Sequence, residues 1–505
     1  MSGRSERLHF PREELRGRTI RGGVLNALFL GGGEALALVQ GLVVTALLGP
    51  VAIGLYGIVT TTAMTMVQLR RVGIDEAFVQ QDEEGQEEEF QRAFSLELAI
   101  GVAFSFLLAL LAPVVALVYG DMRLLALTLA VSYLPIAFAL QAPQWIFFRR
   151  MDFLRLRLLQ FSIPAVTFLV TVPLAAVTGS VWAMVIGPAA GNLVAVAAAL
   201  KLSPYRLALR FERQAMRRYL AFSWPILFTA LATLIVLQGQ IFAFDLKGGL
   251  AAAGFITVAV TLTRYADRAD QIVTTTIYPA ICEVVDDLAI QAELFVKSSR
   301  VTMIWALPFC AGLALFAADL VDHVLGAEWE PAVILIQGLA VAAALQQIGF
   351  AWISFYRARG ESWVQAVESA AMLGGFLLLA VPGLIVWDSK GFVAGRVATS
   401  VAMLVVRRHY VRALFPEVRF VMMGLRGALP VLAGTGATLA LRAALDPGTV
   451  PELLVFLGVT FGAIWGADRP LLTELLRYLR RPNETRSVAP DASSTPPANA
   501  ASHAG

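Results

Sequence analysis

Charge is scarce in this chain. Asp, Glu, Lys and Arg make up 15% of its 505 residues, while 58% are hydrophobic; soluble domains carry about 25% charged residues. A water-soluble fold cannot hide that much apolar surface, so the mean hydropathy of +0.70 makes lipid the expected solvent. Cysteine is nearly absent. Cys282 and Cys310 stand apart rather than in a C-x-x-C pair, which argues against a disulfide framework or a zinc site. The four histidines, His9, His323, His409 and His503, are scattered without metal-ligand spacing. No G-x-x-x-x-G-K-[ST], H-E-x-x-H or G-x-S-x-G occurs, so no enzyme activity, nucleotide hydrolysis or cofactor is expected. The net charge of +3 is small, and no nucleic-acid partner is expected. The first nineteen residues are polar and rich in arginine. No short apolar core with a small-residue cleavage site follows them, so they read as a cytoplasmic N-terminal segment rather than a signal peptide.

What is abundant is long apolar runs. A membrane-spanning helix needs about 20 mostly apolar residues. Candidates fall near 20–48, 51–69, 93–119, 124–147, 158–178, 180–200, 219–245, 250–280, 300–320, 331–355, 364–387, 391–406, 424–442 and 450–467. The fold class expected is therefore all-α, a polytopic membrane protein of about 14 transmembrane helices. A short basic segment follows Asp468, and the tail from Pro482 reads as disordered. Ordinary loops are short, and no outer domain is left to house chemistry.

Charge placement supports this count. With the N-terminus inside and the spans alternating, inside segments hold about 33 of the 40 basic residues, as cytoplasmic loops do. Outside segments hold Arg123, Lys247, Lys390 and Arg442; Arg264, Arg268 and Arg396 remain within spans. Long basic loops after the sixth and twelfth spans divide the chain. The expected plan is a cytoplasmic segment at 1–19, an N-lobe at 20–200, a C-lobe at 201–410, a helix pair at 411–467, and a basic segment with a disordered tail at 468–505. Repeats of this kind put a substrate site at their interface. The acidic run at 82–89 reads as a solvated loop face.

Charges at bilayer depth cost about 2.5–3.5 kcal/mol each on insertion scales, so those that persist face protein, water or one another. The eighth span concentrates them in TLTRYADRADQIV. At helical spacing Arg264, Asp267, Arg268, Gln271, Thr274, Thr275 and Tyr278 share one stripe, with Asp270 on its edge. Guanidinium forks suit phosphate; the plainer alternative is pairing of Arg264 and Arg268 with Asp267 or a neighbouring helix. Glu34, after three glycines in the first span, is a candidate for ion coupling or for pairing with an arginine of the eighth span. Asp270 is a second ion-coupling candidate. Arg396 either lines the cavity or snorkels to headgroups. Among the amides in spans, Gln238 and Gln240 stand out as cavity-lining candidates. They are two residues apart on one helix, so only one is expected to face the cavity. The rest, including Gln144, Asn192, Gln346 and Gln347, suit interhelical hydrogen bonds.

Three segments resemble a known family. LGPVAIGLYGIV (48–59) with RRVGIDEAFVQQ (70–81) resembles its signature around the first two helices. AGFITVAVTLTRYADRADQIVTTTIYPAI (253–281) resembles its eighth helix. LGAEWEPAVILIQGLAVAAALQQI (325–348) with YRARGES (356–362) resembles its W-x-P-A element and the loop after the tenth helix. The family is the Wzx-like oligosaccharide flippases, the polysaccharide-transporter branch of the multidrug/oligosaccharidyl-lipid/polysaccharide exporter superfamily. The resemblance implies two six-helix lobes around a central, often cationic cavity, and alternating access. It also implies a polyprenyl-pyrophosphate-linked oligosaccharide as substrate. One departure is that two aspartates stand beside the two arginines of the eighth span, cancelling its local charge.

Together these readings give a flippase of the bacterial inner membrane, with both termini cytoplasmic, serving cell-surface polysaccharide synthesis. It is expected to be a monomer in contact with membrane lipids and to work beside a polysaccharide polymerase and glycosyltransferases. The alternatives are a lipid II flippase or an ion-coupled multidrug exporter of the same superfamily, or, in another class, a membrane glycan polymerase or ligase.

Overall fold

The structure, a computed structural model, describes residues 12–480 apart from 71–73, 76–77, 79–84, 151, 211–223, 362 and 446. Among the described residues all regular structure is helical. Eleven helices are long and apolar enough to cross a membrane. Three of these each fuse two spans across a break, at Gly49, at Gly249 and at Trp387–Asp388. The resulting fourteen segments are α1 (12–48), α2 (50–70), α3 (Gln86–Tyr119), α4 (Arg123–Arg149), α5 (Phe153–Thr178), α6 (Ala183–Leu202), α7 (224–248), α8 (250–283), α9 (Leu288–Leu315), α10 (Ala327–Gln347), α11 (363–386), α12 (389–414), α13 (Phe420–Leu445) and α14 (Thr449–Arg480). The chain is an all-α, multi-pass membrane protein.

The breaks have local causes. Gly49 and Gly249 take φ of 72° and 68°, a region that costs a residue with a Cβ about 1–2 kcal/mol. Pro50 follows the first and removes a backbone donor. At the third break Asp388 is the one non-glycine with positive φ among the described residues. Lys247 reaches across from the α7–α8 turn to hold it, with Nζ 2.6 Å from Asp388 Oδ1 and 2.6 Å from the Leu384 carbonyl. That the chain folds back there is plain from Gly391, where a Cβ would lie 2.0 Å from the Gly383 carbonyl oxygen.

A common apolar core joins the two halves. It runs through Ile53 and Ile58 of α2, Phe244 of α7, Ile256 of α8, Trp329 and Ile336 of α10, and Phe392 of α12. A second cluster, with Phe295, Trp352, Phe355 and Phe415, closes the end where the basic loops gather. Two boundaries differ from the sequence expectation. The first helix already starts at Arg12. The acidic run is not wholly a solvated loop: 82–84 lie outside the described residues, but Gln86–Glu89 open α3. There Glu89 is buried and Glu88 pairs with Arg210 at 3.0 Å, favourable for carboxylates at a helix N-terminus. The tail beyond 480 lies outside the described residues.

Candidate functional site

The site begins with a crossing of two helices that start at the same end of the bundle. A Cβ on Gly54 of α2 would fall 2.0 Å from the Leu250 carbonyl oxygen. A Cβ on Gly254 of α8 would fall 2.1 Å from the Pro50 carbonyl oxygen. The contact is reciprocal, and the participants are related by a constant offset of 200 residues: Gly49 with Gly249, Pro50 with Leu250, Gly54 with Gly254, Gly57 with Thr257. Small residues let the two backbones touch. Trp329, fully buried, stacks edge-on against Phe255 at 5.8 Å. Glu328 lies against Gly49. The α2–α8 gap is therefore closed at this end, opposite the basic loops.

The charged band lies roughly 20–27 Å along the helices from that crossing, at 1.5 Å per residue. Here α8 is not the uninterrupted α-helix that its periodicity suggests. Arg264–Ala266 form a 3-10 turn, which changes the phase of the stripe. Arg268 Nε lies 3.1 Å from Glu34 Oε2, with the two side chains 46% and 35% exposed. Its Nη1 donates to Gln271 Oε1 at 3.0 Å. Asp267 accepts from Gln347 Nε2 of α10 at 2.8 Å, and Asp270 accepts from the Thr274 hydroxyl at 3.0 Å. Arg264 and Gln271 are exposed. Arg264 has Asp267 within electrostatic range but no hydrogen bond to it among the described residues. The pairing alternative thus holds for Arg268 and Glu34, through α1, and not for Arg264 with Asp267.

Two of the α1 glycines pack against α5. Gly33 packs on Pro164 of α5 at 3.5 Å, and Gly32 on Phe161 at 3.8 Å, setting the α1 side that bears Glu34. Gln238 of α7 donates to Thr62 Oγ1 of α2 at 2.7 Å, a bond between the halves. Gln240 is buried with its Oε1 unpartnered. Arg396 is half-buried, with its Nε and Nη1 buried and without a hydrogen-bond partner among the described residues. Phe244 and Phe392 meet at 4.9 Å, one helical turn from Gln240 and Arg396 respectively, so both polar groups sit at the α7–α12 contact rather than beside Arg264 and Arg268. Gln144 and Asn192 meet through Gln141, at 3.1 Å each.

Among the ion pairs not anticipated from the sequence are those of two buried arginines. Arg407 of α12 donates to Glu368 of α11 at 2.9 Å and to the carbonyls of Gln346 and Ile348. Arg70 of α2 pairs with Glu97 of α3, both buried. Glu97 and Glu368 are lone acids in apolar spans, a signal available in the sequence. Arg70 and Arg407 stand at the ends of apolar runs and resemble loop cations. Arg407 also lies within electrostatic range of Asp267 and Asp270. The band thus runs from α1 through α8 and α10 to α11 and α12. Among the described residues no group of His, Cys, Asp and Glu is placed to hold a metal ion.

Residues 43–334 match the model of a family described as "Polysaccharide biosynthesis protein". No curated protein is significantly similar in sequence. Among solved structures, the lipid II flippase MurJ in an inward closed conformation is similar, with a TM-score of 0.66 at 12% identity, over 89% of this chain and 100% of that one. An inward-facing MATE-family multidrug resistance transporter of the MOP superfamily has a TM-score of 0.60 at 14% identity, over 76% and 96%. A MOP-superfamily transporter from Pyrococcus furiosus has a TM-score of 0.55 at 14% identity, over 79% and 97%. At these identities the shared feature is the fold.

Proposed function

The chain belongs to the polysaccharide biosynthesis protein family, and from that premise we propose that it is a flippase carrying a polyprenyl-pyrophosphate-linked oligosaccharide across the cytoplasmic membrane. The observation that carries this reading is the exposed pair Arg264 and Arg268 at membrane depth. Exposed guanidiniums there are tolerated only where a protein cleft or water receives them, and such a cleft beside closed helix ends suits an anionic head group. The pyrophosphate meets Arg264 and Arg268; Gln271 and Asp267 hold them in position or contact the sugar. Gln238, Gln240 and Arg396 line the path farther toward α7 and α12. The polyprenyl tail stays in lipid.

Glu34 gives this scheme its coupling step. It pairs with Arg268, and an arriving phosphate competes with it for that guanidinium. The released carboxylate is then open to a proton or sodium ion, with Asp270 as a second acceptor. Residues 20–200 and 201–410 rock about the α2–α8 crossing, with both termini on the cytoplasmic side and the chain working as a monomer. A ligand drives such a change only through different affinities for the two states.

The test is translocation of a fluorescent polyprenyl-pyrophosphate oligosaccharide in proteoliposomes, with wild type beside Arg264→Ala/Arg268→Ala. The expected result is transport by wild type and loss of transport in the folded, inserted double variant. Transport by both removes the arginines from the site. Failure of wild type with the oligosaccharide lipids, together with transport of lipid II or export of a cationic dye, replaces the substrate.

A further inference from the structure

A cavity with a cationic rim lies away from the charged band, at the end where the basic loops gather. It encloses about 590 Å³ between α9, the α12–α13 turn and the first two turns of α13. Its lining mixes two chemistries. Lys297, Arg300, Arg419 and Arg426 bring four cations, while Val296, Met422 and Met423 form apolar wall. Lys297 pairs with Glu293 one turn away at 2.9 Å. Arg300 pairs with Asp468 of α14. Glu417 is the remaining carboxylate on the wall. Among the described residues three carboxylates therefore offset three of the four cations, and one positive charge is left over. Arg426 lies within electrostatic range of Arg300, so two guanidiniums line the same cavity.

The apolar wall does not end at the rim. From Met422 the exposed face of α13 continues through Leu425, Leu429 and Leu432, which are 51%, 60% and 61% exposed. The helical spacing puts them in one row above the cavity, along the direction of an acyl chain. A free inorganic anion would engage only the cationic wall, whereas a lipid whose head group sits there lays its chains along that row. We propose that the cavity holds the phosphodiester head group of an anionic phospholipid from the adjoining leaflet, with its chains on the α13 leucine row. Arg419 and Arg426 supply the charge-assisted donors, and the single excess charge matches one phosphodiester. Such a lipid would join α9, α13 and α14 at one corner, remote from Arg264 and Arg268.

Purified full-length chain in micelles is titrated with phosphatidylglycerol and with phosphatidylcholine, and retained lipid is read by native mass spectrometry. Inorganic phosphate is added as competitor. Wild type is expected to retain phosphatidylglycerol over phosphatidylcholine. Arg419→Gln/Arg426→Gln should weaken phosphatidylglycerol by about thirtyfold, the scale of two basic groups at an anionic lipid surface, and leave phosphatidylcholine unchanged. Leu429→Asn/Leu432→Asn should weaken the lipid as well. Equal retention of the two lipids by wild type overturns the proposal, and this comparison decides even if the arginine variant does not fold. If phosphate displaces the lipid at matching concentration and the leucine variant binds like wild type, the cavity takes a free phosphate and the lipid assignment falls.

Discussion

Buried ion pairs separate two jobs that charged residues do in this membrane protein. Arg70 and Glu97 are both buried, and each neutralises the other between α2 and α3. Removing one partner leaves an uncompensated charge, at a cost of about 3–5 kcal/mol. Glu97→Gln should therefore lower unfolding free energy by that amount in mixed-micelle denaturation. Arg70→Met/Glu97→Leu should recover most of it, because apolar packing replaces both charges. Glu34 and Arg268 are different: both are partly exposed, so little stability rests on their contact. Glu34→Gln should leave the melting temperature almost unchanged and still bind lipid-linked sugar. Its transport rate should no longer respond to an imposed proton or sodium gradient, which paired proteoliposome assays with and without the gradient would show. A retained gradient response would move the coupling role to Asp270. The exposed charges of the eighth span were legible in the sequence because charge inside an apolar run has so few explanations. The Arg407–Glu368 pair was not, because Arg407 follows an apolar stretch and resembles an ordinary loop cation until the length of α12, 389–414, is known.

Helix ends were legible to within a few residues wherever hydropathy falls sharply, as at α5, expected near 158–178 and found at Phe153–Thr178. Helix geometry was harder to read. A 3-10 turn at Arg264–Ala266 leaves no mark in a stripe drawn at 3.6 residues per turn, since its phase shift is small over three residues. The glycine crossing is subtler still. Gly54 and Gly254 look like ordinary small residues in apolar runs, and only their partner backbones, 2.0 and 2.1 Å from an added Cβ, show why no side chain fits. Gly54→Val would force α2 and α8 apart at the end opposite the basic loops. A clash of only ~1.4 kcal/mol shifts a two-state balance about tenfold, so the variant should favour the state open at that end. Spin labels on exposed Met122 and Trp387, at 72% and 69% exposure, report on this separation. Their distance distribution should move longer in Gly54→Val. An unchanged distribution would mean that the helices absorb the methyl groups by local bending.

At the scale of the whole molecule, the three segments that carry the family resemblance meet in space. Residues 48–59 supply one side of the crossing, 253–281 the other, and 325–348 the tryptophan that packs over it. The same 253–281 segment also carries the α8 charges, so the resemblance spans both the junction and the α8 part of a charged band that five helices assemble. The constant offset of 200 residues makes the junction nearly self-complementary, as expected where two copies of one unit face each other. Such a contact is suited to being made and broken as a whole. If the halves rock about it, fixing it closed must stop transport without touching the substrate site. A Cβ on Gly57 would lie 2.9 Å from the Thr257 Cβ, and an outward relaxation of about 1 Å brings that pair into disulfide range. Gly57→Cys/Thr257→Cys, in a background without Cys282 and Cys310, should transport when reduced, halt on oxidation and recover with reductant. Binding of the lipid-linked sugar from the basic side should persist in the oxidised form. Transport that continues with the disulfide formed would place the moving gate elsewhere and leave the crossing a static brace.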